Sequence, residues 1–308
     1  MRIAVIGAGI MGTGIAQVMA EGGCEVWLQS RRRESVDGAL ERMRKNQEQM
    51  ITAGLLGRAD AEAARGRMRV TQDLAEAVRQ ADFVSENVPE DLTLKQAVFR
   101  ELDRLAPRGA ILSTDTSGLS ITAIAGATSR PERVVGLHWL NPPHLMLPVE
   151  VNRGERTSEE TMQATCALAE RVGRRPIRVE RDVPGFLWNR LQMALVREAV
   201  HLVEQGIATP EDVDLAVQWG LGFRWAALGP LRVMDLAGLG TFRTVAAALF
   251  PELSAAREPQ KLIEDLIARD HLGARAGKGF YDYPPGAHEG SIRERNARLI
   301  AIRRTLTP

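Results

Sequence analysis

The chain has 308 residues, enough for about two domains and too many for one small core. Lys and Arg total 40 against 39 Asp and Glu, a net charge of +1, so its charge favours neither nucleic acid nor an anionic membrane, and small molecules are the expected partners. Cys24 and Cys166 lie far apart without CxxC or metal-ligand spacing and read as buried thiols of a reducing compartment. With no leader ahead of the first apolar run and no long uncharged apolar span, a cytoplasmic, metal-free protein that crosses no membrane is expected.

In chain order, short apolar strands alternate with amphipathic helices. A strand at 2–6 is followed by a helix at 10–21, a strand at 25–29, helices at 34–53 and 59–66, a short strand at Arg69-Val70 and a helix at 73–80. Strands follow at 82–85, 110–113 and 133–137, with helices at 93–105 and 120–126 between them, and a further strand begins at Leu147. This alternation predicts an α/β fold, a doubly wound and mostly parallel sheet. Beyond Val183-Pro184-Gly185-Phe186 the strand signal stops. Apolar residues at helical spacing over 187–205, 210–219 and 231–249 predict a second, all-α domain, with 1–182 and 183–308 as the two domains.

The first strand runs directly into Gly7-Ala8-Gly9-Ile10-Met11-Gly12 and then a helix, the context that gives GxGxxG its meaning as a dinucleotide fingerprint. The first glycine makes the tight turn, the second lets a pyrophosphate approach the backbone, and the third lets helix and strand pack closely. Farther on, His138-Trp139-Leu140-Asn141-Pro142-Pro143 follows a strand and Glu150 lies on the next one, so a short turn can pair an imidazole with a carboxylate. That pair suits the oxidation of an alcohol: the hydroxyl proton must leave with the hydride, histidine accepts it near neutral pH, and a carboxylate fixes the tautomer. Taken singly, His138 also fits a satisfied structural histidine and Glu150 a strand-edge charge.

His138-Trp139-Leu140-Asn141-Pro142, Glu150, Asp182-Val183-Pro184-Gly185-Phe186-Leu187-Trp188-Asn189-Arg190 and Gly277-Lys278-Gly279-Phe280-Tyr281 together resemble the 3-hydroxyacyl-CoA dehydrogenase family over nearly the whole chain. The resemblance implies a Rossmann-like domain followed by a helical dimerisation domain, hence a homodimer, with His138 as base and Glu150 as its partner. It implies that Ser117 and Asn189 hold the substrate oxygen and that Glu90 and Lys95 meet the nicotinamide ribose. Without it, Ser117 is a turn serine, Asn189 a helix-surface amide, and Glu90 and Lys95 a solvated helix start. The expected cofactor contacts are Gly7, Gly9, Ile10, Met11, Gly12, Ser30, Arg31, Glu90, Lys95 and Asn141.

Two departures bear on specificity. Where the family usually has an aspartate after the second strand, the chain reads Ser30-Arg31-Arg32-Arg33, which removes a repelling charge and offers guanidinium groups to a 2′-phosphate. NADP is therefore expected over NAD, the alternative being that Glu34 reads the ribose and the arginines are a solvated turn. In the coenzyme A branch a lysine-rich turn after the second helix meets the nucleotide end of the thiol carrier, whereas Thr52-Ala53-Gly54-Leu55-Leu56-Gly57 has no lysine. The stretch Gly222-Phe223-Arg224-Trp225 and Thr116-Ser117-Gly118 resemble gulonate and carnitine dehydrogenases, and Asp115 to Gly118 with His138-Trp139 and Pro142-Pro143-His144 resembles a pyridine-carboxylate aldehyde dehydrogenase; all three handle compact charged substrates. Arg224 reads equally as a carboxylate clamp or as a structural ion pair at the dimer interface. The expected function is an NAD(P)-dependent interconversion of a small free 3-hydroxy acid and its 3-oxo form. The alternatives are a 3-hydroxyacyl-CoA dehydrogenase of fatty-acid metabolism and a nucleotide sensor without turnover.

Overall fold

A computed structural model describes residues 1–306. The chain forms two compact units: one of Met1–Arg190 joined by the residues from Arg298 onward, the other of Leu191–Ala297. The first unit holds an eight-stranded sheet of β1 (Arg2–Ile6), β2 (Glu25–Gln29), β3 (Met68–Thr71), β4 (Phe83–Glu86), β5 (Ile111–Thr114), β6 (Val134–Trp139), β7 (Pro148–Asn152) and β8 (Arg175–Val179). Its order is β3-β2-β1-β4-β5-β6-β7-β8, parallel throughout except for the antiparallel β6/β7 pair. The apolar runs explain the parallel core, because strands covered on both faces need no polar alternation: β1 is Ile3-Ala4-Val5-Ile6 after its first residue, all four buried.

Helices α1 (Ile10–Glu21), α2 (Arg33–Thr52), α3 (Arg58–Gly66) and α7 (Glu159–Arg171) contribute Ile15, Met19, Met43, Ala64, Met162 and Leu168 to one apolar layer. Helices α4 (Leu74–Val78), α5 (Leu92–Leu105) and α6 (Ile121–Ala125) contribute Val78, Phe99, Leu102, Ile121 and Ile124 to the other. Asp91, Ser120 and Ser158 cap α5, α6 and α7, each accepting a backbone N–H of the first turn, worth about 1 kcal/mol apiece. The strand order reverses between β1 and β4, and the crevice outside the carboxyl ends of these strands is where such sheets bind ligands.

The expected fold class holds, and several details differ. Neither α7 nor β8 is foreseen by the sequence reading; β8 is Arg175-Pro176-Ile177-Arg178-Val179, an edge strand whose proline and arginines hide the pattern. The spatial division falls after Arg190 instead of Asp182, because the backbone at Leu187 and Trp188 is bonded to Glu150 of the first unit. Cys24 is buried as expected, but Cys166 is only half-buried.

The second unit is built from helices: most of α8 (Trp188–Glu204), α9 (Pro210–Leu215), a π-helical stretch (Ala216–Gly222), α10 (Phe223–Leu228), α11 (Pro230–Ala237), α12 (Leu239–Leu249), α13 (Lys261–Ala268) and the start of α14 (Ala287–Leu306). The helix expected over 231–249 breaks at Gly238, whose φ of +93° lies in the region that favours glycine. No single helix among the described residues is long and apolar enough to cross a membrane.

Candidate active site

The glycine-rich turn is built for a ligand. Gly7 has φ +105°, and a Cβ there would lie 2.6 Å from the Asn87 backbone oxygen; a Cβ on Gly12 would lie 1.8 Å from the Gly7 oxygen. Both glycines are therefore required by the fold. Gly9 is different: a Cβ would meet nothing within 4 Å, so its missing side chain leaves open space beside the first turn of α1, where backbone N–H groups and the helix dipole favour an anion. A pyrophosphate fits that space. Ile10 is exposed and Met11 half-buried at the same helix start. Beneath the turn, Arg42 of α2 donates to the Ala8 backbone oxygen (2.7 Å) and the Thr13 hydroxyl (3.3 Å), bracing the loop with a cation that sequence reading does not single out.

At the end of β2, Ser30 Oγ accepts from the Arg32 N–H (3.4 Å) and Arg31 is exposed. Arg33 is engaged with Asp37, its Nε 3.2 Å from either carboxylate oxygen, so one of the three arginines expected to favour a phosphate is already paired.

Across the strand-order reversal, Lys95 is not part of a solvated helix start. It is buried, its Nζ donating to Glu86 Oε1 (2.8 Å), Glu86 Oε2 (3.1 Å) and the Val88 oxygen (3.2 Å), with Glu90 Oε2 at 3.6 Å. Glu86 also accepts from the Thr114 hydroxyl (2.7 Å) and the Val88 N–H (2.6 Å). Glu90 is exposed, and its carboxylate accepts from the Thr116 hydroxyl (2.6 Å) and the Ser117 N–H (2.9 Å). Hydrogen bonds and the Lys95–Glu90 ion pair thus connect the end of β4 to the Ser117 loop. Asp115, in that loop, accepts the Trp139 N–H (2.8 Å), joining the end of β5 to the residue after His138. Burial pushes the Asp115 carboxyl well above the usual carboxylate range, against the pull of that N–H and of Lys95, with Glu86 and Glu90 adding to the rise. Glu86 and Thr114 are missed by the sequence reading, which notes Asp115 and Thr116 only within a resemblance; a glutamate closing the buried strand Phe83-Val84-Ser85 was the available signal.

His138 and Glu150 face each other across the antiparallel β6/β7 ladder, and His138 Nδ1 lies 2.6 Å from Glu150 Oε2, with both residues buried. The other carboxylate oxygen accepts the N–H groups of Leu187 (3.0 Å) and Trp188 (2.6 Å) at the start of α8. Glu150 therefore fixes the imidazole and the origin of α8 together. The next residue, Asn189, donates through Nδ2 to the Ser117 oxygen (2.8 Å). Phe186, buried at φ +49°, sets its ring 6.0 Å from that of His138. Hydrogen bonds thus pair His138 with Glu150, Asn189 with Ser117 and Ser117 with Glu90, an ion pair links Glu90 to Lys95, and Asn141 is exposed in the loop that follows β6. Arg224 lies on α10 in the second unit, exposed and with no hydrogen bond or ion pair among the described residues.

Comparison with known proteins identifies the family. The NAD-binding domain model of 3-hydroxyacyl-CoA dehydrogenase matches residues 2–183, and the C-terminal domain model matches 185–283. The chain is 39% identical to the 5-formyl-3-hydroxy-2-methylpyridine 4-carboxylate 5-dehydrogenase of Mesorhizobium japonicum, over 99% of this chain and 98% of that one. It is 35% identical to a probable 3-hydroxybutyryl-CoA dehydrogenase of Deinococcus radiodurans over 92% of this chain and 100% of that one. A crystal structure of a pyridine-carboxylate 5-dehydrogenase, an NAD+ dependent dismutase, superposes with a TM-score of 0.93 at 37% identity over 99% of this chain and 98% of that one. The (S)-3-hydroxybutyryl-CoA dehydrogenase of Ralstonia eutropha gives 0.77 at 31% identity over 92% and 99%. The expected preference for NADP finds no support in these likenesses. With both domain models matched in order along the chain, this protein belongs to the 3-hydroxyacyl-CoA dehydrogenase family and is an NAD-dependent oxidoreductase acting on CH–OH groups.

Proposed function

We propose that the protein oxidises a compact hydroxy acid, or reduces the corresponding oxo acid, with NAD as the working cofactor. The observation that carries the chemistry is the buried His138–Glu150 pair, 2.6 Å apart, beside the Ser117–Asn189 contact. The glycine turn would hold the pyrophosphate of the dinucleotide and Glu90 and Lys95 its nicotinamide ribose; once bound, the cofactor would supply the hydride acceptor or donor for the substrate carbon. With Nδ1 committed to Glu150, the neutral imidazole carries its proton there and presents Nε2 as the acceptor for the substrate hydroxyl proton. As the ring becomes cationic, the charge develops against a carboxylate that the Leu187 and Trp188 N–H groups keep from rotating. The Ser117 hydroxyl and the second N–H of the Asn189 amide hold the substrate oxygen; the first is occupied by the Ser117 carbonyl.

A small substrate is favoured by the pyridine-carboxylate relative, matched over nearly the full chain, and by the absence of lysine from the Thr52–Gly57 turn. Arg224 is the candidate partner for its carboxylate. The protein acts in the cytoplasm as a homodimer, the second copy covering the apolar helices of the second unit. The test is turnover with NAD and NADP on 3-hydroxybutyrate, carnitine, gulonate, a hydroxymethyl-pyridine carboxylate, the matching formyl compound and 3-hydroxybutyryl-CoA, followed by nicotinamide absorbance. Activity on at least one free acid is expected. Efficient turnover of the thioester with none on any free acid would overturn the small-acid reading and restore the coenzyme A alternative.

A further inference from the structure

The last turns of α14 belong to the first unit and are fastened there at several points. Helix α14 is polar over most of its length, yet Ile300 is buried and, with Leu299, packs against Met50, Ala53, Leu55 and Leu56 at the end of α2 and the turn after it. Leu145, in the loop that follows β6, completes the cluster. Arg303 reaches the same loop and donates to the backbone oxygens of His144 (3.0 Å) and Leu145 (3.4 Å). Arg304 lies over Gly54, where a Cβ would come within 3.4 Å of its guanidinium. One short stretch of helix is therefore bound both to the Thr52–Gly57 turn and to the loop that leaves the His138 strand.

This docking explains the composition of the turn. Ala53, Leu55 and Leu56 would form an exposed apolar patch without α14, and with it they are partly covered. A long charged chain running along the turn would have to displace Leu299 and Ile300. Helix α14 also lies beyond residue 283, where the family models end, whereas the pyridine-carboxylate relative shares nearly the whole chain. The probable 3-hydroxybutyryl-CoA dehydrogenase of Deinococcus radiodurans is matched over 100% of its length by 92% of this chain, so part of this chain has no counterpart in it.

Resting on the small-acid reading above, we propose that the last turns of α14 determine substrate size. They close the side of the site between the turn after α2 and the 140–147 loop, admit a compact carboxylate and refuse a substrate carried on a long phosphorylated thiol. Leu299, Ile300 and Arg303 are positioning residues in this role, acting through the loop and the turn they hold.

The experiment uses the full chain with Ile300→Asp, which puts a charge into the cluster, and separately Leu299→Ser with Arg303→Ala, which loosens the helix while placing no charge in it. Hydrogen exchange over 298–306 reports release of the helix, and NADH affinity reports an intact cofactor site. The expected result is faster exchange, unchanged NADH binding, a kcat/KM on 3-hydroxybutyryl-CoA raised by about 10-fold or more, and inhibition by free coenzyme A where the unaltered protein shows none. Turnover of the free acid changes much less. Released helices with no gain on the thioester would overturn the proposal while leaving the small-acid reading intact. A loss of thioester turnover on release would overturn it too, since the helix would then be serving the carrier. An unaltered protein that uses only the thioester removes the small-acid reading, and this proposal with it.

Discussion

At the scale of single residues, the chemistry depends on what His138 can do once Glu150 holds it. His138→Ala removes the proton acceptor, and Glu150→Gln replaces an anion that orients the ring with an amide that stabilises no positive charge. Each is expected to lower kcat by about 10²-fold or more, with NADH affinity nearly unchanged because neither side chain belongs to the glycine turn. Stopped-flow turnover alongside a fluorescence titration of NADH separates the two effects; near-normal turnover of His138→Ala would remove it from the mechanism. Ser30 makes a different kind of prediction. Aspartate at this position would accept from the ribose hydroxyls of NAD and repel a 2′-phosphate, so Ser30→Asp should tighten NADH by a hydrogen bond of about 1 kcal/mol and weaken NADPH. Equal changes for the two dinucleotides would show that the end of β2 does not read the ribose.

At the scale of elements, the joint between β4, α5 and the loop after β5 is where sequence reading was least sufficient. Lys95 sits four residues into α5 and reads locally as a surface lysine, and only the sheet order brings it over Glu86 in the core. Lys95→Met would leave the Glu86 carboxylate buried without its cation, so a loss of about 3–5 kcal/mol in unfolding free energy is expected by urea titration. Adding Glu86→Gln should recover part of it, and a Lys95→Met protein as stable as its parent would contradict the buried pair. The strands were legible because apolar runs of four or five residues cannot hide. Helix α7 and β8 were not, since β8 pairs with β7 through backbone groups and carries arginines outward. Asp182 ties the approach to α8 to the start of α6, accepting from the Ser120 hydroxyl (2.6 Å) and the Thr122 N–H (2.8 Å). Burial opposes its ionisation, but the bonds from Ser120, Thr122 and Ile121 outweigh it and hold the carboxyl below its ordinary value. A folded value below the unfolded one makes its contribution fully present above about pH 4, and that contribution is lost as pH falls through the folded value. Acid unfolding of Asp182→Asn should accordingly be less steep below about pH 4 than that of the parent, and identical curves would show that these bonds do not favour the charged form.

At the scale of the molecule, the second unit has a deficit that its helices alone do not fill. Between Leu191 and Ala297 only Val200 and Asn296 are buried, while Leu191, Met193, Trp219, Phe223, Leu231 and Phe250 are among many large apolar side chains left exposed. A cavity of about 640 Å³ among these helices is lined by Val200, Val203, Val213, Leu266, Phe280 and others, mostly apolar. Helices with this many exposed apolar side chains would aggregate as an isolated unit, whereas in a two-fold pair they would form a shared core. Burying one such leucine or phenylalanine is worth about 1.5–3 kcal/mol, so even a few per copy outweigh the cost of association. Light scattering should therefore give twice the 33.8 kDa chain mass at micromolar concentration. Leu231→Asp with Phe250→Asp should shift the protein toward monomer and, because the unit lacks a core of its own, unfold that unit at a lower temperature than the sheet unit. A monomer mass independent of concentration, with the second unit as stable as the first, would mean that its exposed apolar helices are tolerated without a partner.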